Sequence, residues 1–209
     1  YKMNKLIFVS GAPGSGKDTF ANAVEDHMDP LISVQEYLDR GLYGTDPMLV
    51  EIIPIKQTLI NAVVALFNLD YYDWVDRYDT DLKEEPWDKL NGMSQREALI
   101  WLSEEVVKPK FGDDFFGKAY AVGLNYEAED IVIAPDAGFV GELEAIMERV
   151  GRDKCVMINT FRDGKTFDKD SRDLITGDML GIPGYTLNNN GTEEQFKENS
   201  IKLFLEITK

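Results

Sequence analysis

Gly11, Ala12, Pro13, Gly14, Ser15, Gly16, Lys17, Asp18 and Thr19 stand in a row, and no other stretch limits so sharply what this chain can become. The row contains G-x-x-x-x-G-K. Residues 5–10 before it (KLIFVS) are a short apolar run, the pattern of a buried parallel strand. Residues 17–27 after it carry a helical pattern. Strand, glycine-rich turn and helix in that order build an anion nest. The glycines let successive backbone N–H groups turn inward, and the helix adds its positive end. Lys17 supplies a mobile cation for terminal phosphates. The expectation is a phosphate loop that holds a nucleoside triphosphate. Many such loops place a Ser or Thr directly after the lysine, where it contacts magnesium; here Asp18 intervenes before Thr19. Thr19 is a candidate for a phosphate or the metal. Asp18 is a candidate for the metal through water, or for pairing with a cation. It also suits a helix N-terminus as a plain negative charge.

The rest of the chain alternates. Short apolar runs at 31–34, 130–134, 154–159 and 185–188 read as strands. Helices are predicted over 55–67, 95–107, 114–124, 141–150 and 193–207. Ser94 with Glu97 reads as a capping box, Thr192 as a cap, and Pro109 as a stop. Residues 70–91 are acidic, aromatic and irregular, and 161–183 is a polar, glycine-bearing stretch of lid-like character. Alternating strands and helices mean an α/β class with a parallel sheet and right-handed crossovers. A single domain over 3–209 is expected, with Met3 read as the natural start.

Charge and composition narrow the partners. The formal net charge is -16. That surface repels nucleic-acid backbones and anionic membranes, so neither is an expected partner. Small phosphorylated molecules remain compatible, because they need only a local cluster of cations. The single cysteine, Cys155, permits no intramolecular disulfide and fits a reducing, cytoplasmic location. Cys155 reads as a buried strand residue rather than a nucleophile. The single histidine, His27, argues against a His-rich metal site and a Ser-His-Asp triad. No apolar run approaches the ~20 residues of a membrane span.

The loop GAPGSGKDT resembles that of nucleoside monophosphate kinases, and its Gly-Lys-Asp-Thr ending is similar to the phage-type deoxynucleoside monophosphate kinases. Further segments agree in order: Pro54-Ile55-Lys56 with Leu59, the Arg96 segment followed by Phe111-Gly112-Asp113, residues 131–136 ending in Pro-Asp, and residues 188–192. The resemblance implies a three-layer P-loop kinase fold: a five-stranded parallel sheet flanked by helices. It implies a mobile lid near 161–183 and an acceptor-binding helical segment near 51–124. It implies ATP and Mg2+ as cofactors, a deoxynucleoside monophosphate as acceptor, and a phage gene acting in the host cytoplasm. A homodimer is a possible state. That family often carries an arginine just after Pro-Asp; here Ala137 and Gly138 follow Asp136, so another cation must hold the acceptor phosphate or the acceptor differs.

The candidates follow from that chemistry. Two polyanions must meet, so Lys17, Arg162 and Arg172 are candidates for transition-state charge, against ordinary surface ion pairs. Asp136 ends an apolar strand, where a carboxylate meets magnesium or caps the next helix. Asn188 and Asn190 are candidates for the adenine side, against an ordinary turn. Lys56, Arg96, Trp74 and Trp87 are candidates for the acceptor, against salt bridges for the cations and core packing for the rings. Two further readings stay open: a P-loop kinase for another small acceptor, and a non-catalytic nucleotide-binding module.

Overall fold

The computed structural model describes residues 5–28, 49–78, 80–124, 131–168 and 172–209. The chain divides into two compact units: one of Tyr1–Pro54, Leu124–Val140 and Met147–Lys209, the other of Ile55–Gly123 and Gly141–Ile146.

In the first unit β1 (Lys5–Ser10) leads through the glycine-rich loop into α1 (Lys17–Met28). Then come β2 (Val50–Ile52), β3 (Ile131–Ala134), β4 (Cys155–Phe161) and β5 (Gly184–Asn188). Among the described residues these five strands form one sheet in the order β2-β3-β1-β4-β5, parallel throughout. The predicted α/β class with a five-stranded parallel sheet is therefore what the chain forms. β1 registers Ile7 against Ile133 on one side and against Val156 on the other. Alternation along these strands fills both faces. Ile7, Val9, Ile131, Ile133, Val156 and Ile158 point to one side and pack with Phe20 and Val24 of α1 and Phe196 and Phe204 of the last helix. Leu6, Phe8, Val132 and Met157 alternate with them and are equally buried. Buried on both faces, the strands read as continuous apolar runs, as a parallel sheet requires.

The predicted strand at 31–34 lies outside the described residues. β2 was not anticipated. It is an edge strand of three residues, too short for a period to show.

The second unit carries α2 (Gln57–Leu66), α3 (Tyr71–Tyr78), α4 (Gln95–Ile100), a π-helical stretch (Trp101–Val107), α5 (Lys108–Phe111) and α6 (Phe115–Gly123). Its core gathers Ile60, Val63, Trp74, Leu90, Ala98, Leu99 and Leu102. The stretch 70–91, expected to be irregular, contains α3 and short 3-10 turns at Asp81–Glu84 and Asp88–Leu90. Asp70 starts α3: its Oδ1 accepts from Tyr72 N at 2.8 Å and Asp73 N at 3.2 Å. Trp74 and Tyr78 then stack one turn apart, ring centroids 5.9 Å.

Helix was expected to stop before Pro109, and it does not. After α4 the backbone widens into the π stretch and re-forms as α5, placing Pro109 in a first turn. The remaining helices are α7 (Val140–Val150), α8 (Gly177–Leu180) and α9 (Glu193–Ile207). No helix among the described residues is long and apolar enough to cross a membrane.

Candidate phosphate-binding site

β3 and β4 flank β1, so the chain leaves the sheet in diverging directions on either side of β1's carboxyl end. In open parallel sheets that crevice is where ligands bind. Residues 11–16 occupy it, between β1 and the N-terminus of α1.

The loop's shape depends on its glycines. Gly14 and Gly16 sit at φ 74° and 109°, conformations other residues rarely adopt. Gly11 is required by closeness: a Cβ there would stand 2.5 Å from the Thr160 carbonyl oxygen. The loop closes on itself through Ser15 N donating to Ala12 O at 3.1 Å, and α1 begins with Phe20 N donating to Gly16 O at 2.9 Å. Lys17 is 8 % exposed, and its Nζ donates to Gly11 O at 2.7 Å and Ala12 O at 3.0 Å. The ammonium is thus held over the loop's own backbone, within a side chain's swing of any phosphate the loop receives. Asp18 is exposed and Thr19 half-buried on the first turn of α1.

Other elements bring their carboxyl ends to the same edge. Asp136 follows β3 and is half-buried; the next residue's N–H, of Ala137, donates to Val9 O at 3.2 Å. That bond sets Asp136 beside the end of β1. Gly138, two residues on, is covered by Arg172. A Cβ at Gly138 would stand 2.4 Å from Arg172 Cδ and 2.5 Å from Cγ. The arginine stem therefore lies in a groove that exists because residue 138 has no side chain.

Arg172 is tethered from below. Ile175, three residues later, is buried; Asn159 Nδ2 donates to its carbonyl at 2.8 Å and its N–H donates to Ser10 Oγ at 3.2 Å. The lid-like stretch is accordingly of two kinds. Residues 161–166 are exposed, whereas Ile175, Gly177, Leu180 and Ile182 are buried.

Arg162 is exposed, and its carbonyl accepts from Lys165 N at 3.1 Å. The turn so formed lays Lys165 over the loop tip: its Nζ would lie 3.3 Å from a Cβ at Gly14. Lys165 lies in the lid-like run of cations, where nothing in the sequence marks which one reaches back.

The asparagine triplet after β5 divides its work. Asn188 ends the strand and is exposed. Asn190 is exposed, and its Oδ1 accepts from Asp163 N at 2.8 Å. Asn189, absent from the sequence candidates, is the one that touches the phosphate loop. It is 9 % exposed, and its Nδ2 donates to Ser15 O at 3.1 Å. Strand period could have found it, since Leu187 and Asn189 fall on one face. Thr160, also missed, meets Ser15 hydroxyl to hydroxyl at 2.7 Å.

The acceptor candidates lie in the second unit. Trp74 is 1 % exposed and belongs to that unit's core, so packing, not base stacking, is its role as folded. Trp87 is half-buried, with Arg77 and Lys89 each 5.4 Å from its ring centroid. Lys56 Nζ stands 5.0 Å from the Tyr78 ring centroid. Arg96 is exposed and meets Glu84 at 3.7 Å, a surface pair of little energy that a ligand could displace.

Cys155 is buried, and desolvation with the charge of Asp153 pushes its thiol up to about 12. It stays neutral and unreactive, as the sequence suggested.

Comparisons with known proteins add little to this geometry. No protein-family model matches the chain, and no curated protein does. Among solved structures the chain is similar to a gluconokinase from Sinorhizobium meliloti 1021, at 10% identity and a TM-score of 0.38 over 99% of this chain and 95% of that one. The reading of the site rests on the loop, the sheet order and the side chains gathered at the sheet's carboxyl edge.

Proposed function

We propose that this chain is an ATP-dependent kinase that transfers the terminal phosphate of ATP to deoxynucleoside 5'-monophosphates. One observation carries the proposal: Lys17 is buried over a loop whose glycines hold positive φ or touch the neighbouring strand, at the switch point of a parallel sheet. That constellation suits a polyphosphate and little else.

Phosphoryl transfer needs positioning and charge neutralisation rather than a covalent intermediate. In this reading the loop N–H groups bind the β- and γ-phosphates, and Lys17 leaves its two carbonyls to follow the transferring group. Lys165 and Arg172 supply further positive charge from the 162–168 turn and from the groove over Gly138. Arg162 lies at the root of that turn. The acceptor is a phosphate monoester with a second pKa of about 6, so it is already a nucleophile at neutral pH and needs no general base.

Magnesium in such sites keeps most of its shell as water and phosphate oxygen and takes only one or two protein ligands. Thr19, Asp18 and Asp136 are the residues that would hold it, the carboxylates through water. When bound, the ion would neutralise charge on the transferred phosphate and its leaving group.

The choice of monophosphate acceptor draws on the resemblance of GAPGSGKDT and the Pro54-Ile55-Lys56, Arg96 and Pro135-Asp136 segments to the phage-type enzymes. Lys56, Trp87 and Arg96 are the residues proposed to meet it. A kinase for another small acceptor is the second reading, favoured by the burial of Trp74 and by the absence of an arginine directly after Asp136. Incubation with Mg-ATP and each deoxynucleoside and ribonucleoside monophosphate, with separation of the products, tests the two. Diphosphate from at least one monophosphate supports the proposal. ATP bound without any diphosphate formed moves the assignment to another acceptor or to a non-catalytic module.

A further inference from the structure

We propose that Asn189 is a positioning residue of the phosphate loop: by holding the Ser15 carbonyl, it aims the Gly16 N–H at the bound phosphate. The inference rests on the nucleotide-binding reading above and assigns a role to a residue which that reading does not use.

The argument begins with the peptide bond. The carbonyl of Ser15 and the N–H of Gly16 belong to one planar trans unit and point to opposite sides of it. Fixing one fixes the other. Asn189 Nδ2 donates to Ser15 O at 3.1 Å. The Gly16 N–H is therefore turned away from Asn189. Gly16 at φ 109° accepts this orientation, which a side chain would resist. A Cβ at Gly16 would also stand 2.6 Å from Asn189 Nδ2 and 2.9 Å from Phe196 Cε1. The outer side of the peptide is thus filled by Asn189 and Phe196, and only the opposite side is left for a ligand.

Asn189 is itself held in place. Its own N–H donates to Phe161 O at 2.7 Å, which continues the β4–β5 pairing one residue past the strand ends. The residue is 9 % exposed, so water competes weakly for the bond. The Ser15 side chain is held too, its hydroxyl meeting that of Thr160. A preorganised donor costs no reorganisation when the anion arrives, which is where such donors gain their effect.

The test uses the intact protein and two ligands, Mg-ATP and Mg-tripolyphosphate, the second having no base. In the wild type, adding tripolyphosphate is expected to move the Gly16 amide proton strongly downfield in 15N-edited NMR spectra. Asn189→Asp keeps the shape but replaces the donor with an acceptor facing the Ser15 carbonyl. It is expected to weaken both ligands by a similar factor, about tenfold or more for one hydrogen bond to a charged group, and to abolish the Gly16 shift. Loss of ATP affinity alone would make Asn189 a base contact and overturn the inference. Equal binding by the variant, or a wild-type Gly16 amide that ignores tripolyphosphate, would overturn it as well; the wild-type readout holds even if the variant fails to fold. A wild type that binds neither ligand would sink the nucleotide reading itself.

Discussion

At the scale of single residues, function concentrates where a side chain is either indispensable or forbidden. Lys17→Ala removes the one buried cation of the loop and is expected to cost about 3–4 kcal/mol of transition-state stabilisation, seen as a several-hundredfold fall in turnover. Gly138→Ala tests the opposite case. The new Cβ would meet Arg172 at 2.4 Å, so the arginine stem must leave its groove. Turnover is expected to drop about ten- to hundredfold from a misplaced charge, with the melting temperature nearly unchanged, because an arginine stem can move aside. Unaltered kinetics would remove Arg172 from the mechanism. Cys155 gives a pH prediction. Its thiol stays protonated in the fold up to about 12, while the unfolded chain ionises near the ordinary 9.0. Above the lower value the unfolded state binds fewer protons than the native one, so stability falls as pH rises between the two. Denaturant titrations across that range should show the fall, and Cys155→Ser should reduce it. Sequence reasoning found the loop because its glycines and lysine are contiguous. It missed Asn189 and Thr160 because their partners are distant in the chain.

At the scale of elements, the termini were the most legible features. Ser94 Oγ accepts from Glu97 N at 3.1 Å while Glu97 Oε2 accepts from Ser94 N at 2.7 Å, the reciprocal pair that four residues of sequence announce. Thr192 and Gln195 make the same arrangement at α9. Thr192→Ala is expected to destabilise the protein by about 1 kcal/mol in denaturant unfolding. It should also loosen the turn that carries Asn189 and Asn190. The misses have physical causes. Pro109 is a stop signal only if the helix keeps its α register; the π stretch Trp101–Val107 supplies another. The aromatic-rich segment after Asp70 looked irregular because its helix is eight residues long and amphipathic through rings rather than aliphatics. β2 has three residues and takes its place from pairing with β3, which no local pattern announces.

At the scale of the whole molecule, strand order and the loop were separable problems. Alternating apolar runs announced a parallel sheet, but the order β2-β3-β1-β4-β5 is a tertiary fact. The apolar runs numbered five and the family resemblance implied the same count, but the run at 31–34 lies outside the described residues, and β2 takes a place in the sheet that no run marked. The net charge of -16 opposes a polyanion at long range, whereas Lys17, Lys165 and Arg172 attract it locally, and salt screens both effects. Binding should stabilise the fold: Mg-ATP at a hundred times its dissociation constant is expected to add about 2.7 kcal/mol to unfolding. The same addition should leave Lys17→Ala almost unmoved in a thermal melt. The central claim is tested most directly by following 31P resonances of Mg-ATP mixed with a deoxynucleoside monophosphate and the purified protein. The account predicts that signals of ADP and of the deoxynucleoside diphosphate grow together, and that neither grows with Lys17→Ala. Intact ATP beside every monophosphate tried, or equal turnover by the variant, would contradict it.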